Sequence, residues 1–240
     1  MSGFFSCSMS HALKIAIIGD YNFTYYSHQA TNLSLDHSGL FLEVDVSYYW
    51  LKLNEAVLLK TSRLEQYDGV WIAPGPVSNP FFLHGIIKSL SQLKIPTLLT
   101  GESFKSFVEV LINNDQLNSG KEKLISDNLV EGNTFEKVTI VPHSKAFIKL
   151  LENHTTFELS SSRYSIYPQV IEQLVQESID IEAYNQFEDP EIISLKNHPF
   201  FVACGYCPQI SSTRELPHPL VYTFIKACMA VSEKSVDKLY

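Results

Sequence analysis

The chain has 240 residues, room for one large α/β domain or two small ones with a substantial core, and its 45% hydrophobic and 18% charged residues exclude a disordered chain. Acidic residues outnumber basic ones 26 to 18 with no sustained lysine or arginine cluster, which argues against a nucleic-acid partner. The longest apolar runs, Ile15–Ile18 and Phe200–Cys204, are far short of a membrane span, so no membrane partner is expected.

Residues 1–12 lack the basic start and unbroken apolar run of a secretory signal and read as an N-terminal extension ahead of a single domain over 13–240. Leu13–Gly19 is a β-rich apolar run ending in glycine, as in a buried parallel strand. Ser27–Ser38 reads as a helix and Leu42–Trp50 as a strand. A third strand, Gly69–Ala73, closes on the turn Pro74-Gly75-Pro76. A helix at Phe82–Leu93 leads to the strand Pro96–Thr100, then Gly101-Glu102-Ser103, then a helix over Phe104–Ile112 with Phe104, Phe107, Val108 and Leu111 on one face. Strand, sharp turn and helix in that order make a nucleophile-elbow layout.

The polar stretch Asn113–Asn133 is expected to be an exposed connection. Beyond it the pattern predicts a strand at Lys137–Val141, a helix at Ser144–Leu151 and β character over Phe157–Tyr167. A helix at Pro168–Gln176, strands at Ile179–Asn185, Ile192–Leu195 and Pro199–Cys204, and a closing helix at Leu220–Val231 complete the chain. Four cysteines, unevenly spaced, are too few for a disulfide framework in a chain of this size, so a reducing cytosol is the expected compartment.

Five segments, in order along nearly the whole chain, resemble the class I glutamine amidotransferase domain of CTP synthase, and more closely the stand-alone proteins described as related to its C-terminal region. They are Ile15-Ala-Ile-Ile-Gly-Asp-Tyr-Asn22 with His28 downstream, Tyr67–Gly75, Pro96–Phe104, Glu158–Pro168 with Arg163-Tyr164, and Asn197–Ala203 running on to Pro217–Val221. The string Asn197-His-Pro-Phe-Phe-Val-Ala203 is the most specific. The resemblance implies an α/β fold with a mainly parallel, open, flavodoxin-like sheet and helices on both faces, with Gly75, Gly101 and Cys207 converging at the carboxyl ends of its strands. It also implies that the amidoligase domain that CTP synthase adds is missing, so that the chain alone does not make CTP.

Against the family's chemistry, the catalytic positions are empty. A glutaminase needs a thiolate, a histidine base, an orienting carboxylate and oxyanion donors. The family nucleophile position falls on Gly101, the base on Cys207 and the carboxylate on Gln209, while a glycine that supplies an oxyanion N–H becomes Pro76. The expectation is a non-catalytic protein that binds a small carboxylate or amide ligand, or a protein partner, without a cofactor or metal. The binding residues are then Gly75, Gly101, Glu102, Ser103, His28 and Arg163, with Arg163 in register with an arginine that holds the glutamine carboxylate. The alternative is a hydrolase rewired to Ser103, which needs His143, His198 or His218 as its base. Cys204-Gly-Tyr-Cys207 ends a strand and runs into Pro208, so Cys204 reads as a packed small hydrophobe rather than a redox or zinc ligand.

Overall fold

Five of the six residues of Leu13–Ile18 (β1) are buried, the mark of an interior strand covered by helices on both sides. The computed structural model describes residues 12–117, 123–130 and 134–236. After β1 come α1 (Tyr26–Leu42), β2 (Val46–Leu51), the single-turn α2 (Leu53–Ala56) and α3 (Thr61–Leu64), β3 (Gly69–Ile72), α4 (Pro80–Gln92), β4 (Thr97–Thr100) and α5 (Glu102–Asn114). Then follow β5 (Glu136–Pro142), α6 (Lys145–Leu151), β6 (Phe157–Ser160), α7 (Pro168–Glu177), β7 (Ile179–Asn185), β8 (Pro190–Leu195), β9 (Phe201–Cys204) and α8 (Pro219–Val236). Local chemistry sets several boundaries: the Asn79 side chain accepts the Phe82 N–H ahead of Pro80 in the first turn of α4, and Pro168 opens α7.

The described strands form one sheet in the order β2-β1-β3-β4-β9-β8-β7-β5-β6. Pairings from β2 through β9 are parallel, and those from β9 through β6 are antiparallel. The expected mainly parallel sheet is therefore corrected to a mixed one. The cause is connection length: only residues 186–189 separate β7 from β8, and a parallel crossover needs a dozen or more residues.

Two hydrophobic cores lie on the two faces. One packs α4, α5 and α7 against the sheet through Leu83, Ile87, Phe104, Phe107, Val170 and Leu174; the other packs α1, α6 and α8 through Leu35, Phe147, Leu220, Phe224 and Ile225. The connection over 113–133 is not wholly exposed, since Ile125 and Val130 are buried and Ile125 bridges to Ile166. Residues 118–122 and 131–133 of that stretch, and residues 1–11 of the expected extension, lie outside the described residues. No helix among the described residues is long and apolar enough to cross a membrane.

Candidate functional site

The strand order reverses between β1 and β3, and the loops that leave β1, β3, β4 and β9 gather at that edge, where open α/β sheets hold their ligands. Gly101, between β4 and α5, has φ 60° and ψ −128°, a conformation that side-chain-bearing residues rarely take. A Cβ there would lie 2.8 Å from the Pro74 carbonyl oxygen and 3.0 Å from Pro74 Cβ. The elbow backbone is thus kept while the loop after β3 closes over the place of its side chain.

The amides that could stabilise an anion are committed elsewhere. Gly101 N–H donates to the carbonyls of Cys204 and Tyr206 at 3.0 and 3.1 Å, and Glu102 N–H donates to Pro74 O at 2.9 Å. Val77 N–H donates to the Glu102 carboxylate at 3.1 Å, and that carboxylate packs so closely on Gly75 (φ 103°) that a Cβ there would fall 2.4 Å from it. Burial pushes the Glu102 carboxyl up from its ordinary range, although Val77 N–H and the Lys105 ammonium pull the other way.

His28 is a fastener for this loop. Its Nε2 lies 2.8 Å from Gly75 O while Nδ1 accepts the Asn22 N–H at 3.0 Å, so the proton sits on Nε2 and is donated to Gly75. Its ring, buried among Tyr21, Tyr25 and Trp50, has a pKa lowered by desolvation, partly offset by the Gly75 bond.

Ser103 is fully buried, accepts the Thr100 N–H at 2.9 Å and donates to Thr100 O at 2.8 Å. No histidine is a hydrogen-bond partner of its hydroxyl among the described residues: His198 bonds Leu93 O, His218 bonds Glu158, and the His143 ring packs edge-on against Tyr184. Ser103→Ala is expected to cost about 1–3 kcal/mol of stability, because the buried Thr100 amide loses its acceptor. Urea unfolding of the variant measures this.

Cys207 and Gln209, the residues expected at the base and carboxylate positions, are both buried. Cys207 is buried, its thiol pushed up to about 11 by burial, with Ser161 Oγ 3.8 Å away. Cys204 is buried too, and its thiol donates to the Leu99 and Tyr206 carbonyls. Gln209 is buried with neither carboxamide atom hydrogen-bonded. Leaving such atoms unpaired costs free energy. Gln209→Met, similar in shape but without the amide, is expected to raise stability by about 1–2 kcal/mol, read as a higher urea midpoint.

Gly75 and Glu102 border a cavity of 470 Å³ whose walls include Tyr25, Tyr26, Asn128, Phe135, Ser161 and Ser162. Gly101, Ser103, His28, Arg163, Cys207 and Gln209 do not line it. Arg163 donates to Glu136 at 3.0 Å and lies over the Phe187 ring, so its charge is engaged outside the cleft.

Glu158 organises a second polar cluster that sequence reasoning missed. Its Oε1 lies 3.1 Å from Nε2 of both His154 and His218, and Oε2 accepts from Ser211 at 2.7 Å. Burial alone would raise its pKa, but the hydrogen bonds from His154, His218 and Ser211 outweigh that and hold it at about 2. The three groups are close enough to surround an ion. However, His218 Nδ1 accepts the Leu220 N–H at 3.0 Å, so its Nε2 carries the proton and has no lone pair for a metal. The trio is a hydrogen-bonded anchor that also caps α8. Its members lie up to 64 residues apart in sequence, and no local pattern signals them.

The mixed sheet with helices on both faces matches the fold of glutamine amidotransferase structures. Among solved structures, the Trypanosoma brucei CTPS glutaminase domain with bound acivicin matches with TM-score 0.74 at 17% identity, covering 91% of this chain and 94% of that one. A putative GMP synthase component from Thermoplasma acidophilum matches with TM-score 0.58 at 14% identity, over 95% and 98%. The chain is 22% identical to the CTP synthase of Wigglesworthia glossinidia brevipalpis over 93% of its own length and 47% of that protein's. It is 24% identical to that of Phytoplasma australiense over 96% and 46%. No family model matches. The chain is a relative of CTP synthase with the fold of its glutaminase domain, and it spans about half the length of the curated relatives it matches.

Proposed function

We propose that this chain is a glutaminase-fold protein that binds a small molecule and does not hydrolyse glutamine. The observation that carries the reading is Gly101: the elbow backbone is intact, yet it bears no nucleophile, and Pro74 occupies the space where one would stand. The buried Cys207 thiol and the unpartnered Gln209 amide, at the positions of the base and carboxylate, support it. The trypanosomal neighbour carries bound acivicin, which motivates testing this chain for a small-molecule ligand. The test is ammonia release from glutamine by the wild-type protein, followed over hours at high enzyme concentration. The expected result is no release above the protein-free control. Release that disappears in Ser103→Ala would favour the rewired hydrolase instead.

A further inference from the structure

Three features of the 470 Å³ cleft bear on what it accepts. First, its charge is negative: among the described residues no lysine, arginine or histidine lines it, and Glu102 is its one charged side chain. Lys105, one turn along α5, pairs instead with Glu109 at 3.7 Å and lies over the Tyr164 ring. Second, the N–H groups of Gly101, Glu102 and Val77 already have acceptors, so the turn offers an incoming anion little. Third, three aromatic residues, Tyr25, Tyr26 and Phe135, line the same cleft as Glu102, and ring faces attract cations.

We propose that the cleft takes a small organic ammonium, a primary amine with a short apolar body, its charged head on Glu102 and its body against Tyr25, Tyr26 and Phe135. This rests on the reading of the protein as a binder rather than a hydrolase, and it reverses the polarity that a carboxylate ligand would need. A cation beside Glu102 also favours its ionised form against the desolvation that opposes it. The net charge of −8 draws cations toward the protein in general.

The experiment is ligand-observed NMR titration with n-butylammonium, butyrate, 1-butanol, glutamine and glutamate. Saturable binding of n-butylammonium is expected, with neither butyrate nor 1-butanol binding in the same range. Glu102→Gln, which can still accept the Val77 N–H, should weaken the amine by about tenfold, and Tyr26→Ala by roughly threefold. Binding of butyrate or glutamate without the amine, or an amine affinity unchanged in Glu102→Gln, would overturn the inference. Those outcomes leave the non-catalytic reading standing, whereas ammonia release from glutamine overturns that reading whatever the amine does.

Discussion

Gly101→Cys is expected to release no more ammonia from glutamine than the wild-type protein, and to unfold more easily. On the proposed reading, a restored thiol has no histidine base or orienting carboxylate, since Cys207 and Gln209 fall at the places expected for them. Loss of triad members costs roughly 10⁴- to 10⁶-fold in rate, so a lone thiol stays far below a working glutaminase. The new Cβ must also adopt φ 60°, ψ −128° and approach Pro74 O to 2.8 Å unless the loop moves. Backbone strain of this kind costs about 1–3 kcal/mol. The checks are an ammonia assay and a urea titration of the same preparation. Turnover comparable to an intact glutaminase would mean that the loop opens and another group supplies the base.

Glu158→Gln should be the most destabilising substitution in the second cluster, by about 2–4 kcal/mol at neutral pH. It removes a buried acceptor on which His154, His218 and Ser211 converge, and the new amide N–H₂ faces donors. The pH dependence separates this from a simple packing loss. The wild-type carboxyl is held at about 2 against a reference of 4.5, so the folded state binds fewer protons than the unfolded state between those values. That contribution is fully present above 4.5 and is lost as pH falls toward 2, a difference of about 3 kcal/mol at roughly 1.4 kcal/mol per unit. Glu191 has the opposite sign and a separate window: burial raises it to about 7, so its effect appears as stability lost between 4.5 and 7. Unfolding free energies of wild type and Glu158→Gln measured from pH 5 down to pH 2 should converge. Parallel curves would mean that Glu158 is not the charged centre of the cluster.

Strands β1, β3 and β4 of the parallel half were readable because each is a short buried run followed by a turn residue: Gly19 after β1, Pro74 after β3 and Gly101 after β4. The apolar face of α5 was equally plain, with Phe104, Phe107, Val108 and Leu111 all buried. The antiparallel half was misjudged although its signal was present, four residues between β7 and β8 being a hairpin length. In the site, the expectation that Gly101 stands at the nucleophile position came from alignment of the turn with the family pattern alone, and the structure adds its backbone geometry. That Arg163 pairs with Glu136 rather than reaching the cleft depends on partners 27 residues apart, which no local spacing encodes. The same holds for His28, whose bond to Gly75 crosses 47 residues.

The loop after β3 is tied down at three points: Gly75 O by His28, Val77 N–H by the Glu102 carboxylate, and the Ser78 hydroxyl by Asp20. A loop held this way has little freedom to fold over an occupant. Closing of this loop is therefore expected to add no slow step to capture, so it contributes no plateau to an observed rate that rises with ligand concentration. Residence time is then set by how firmly the occupant is held at the cleft wall rather than by a gate.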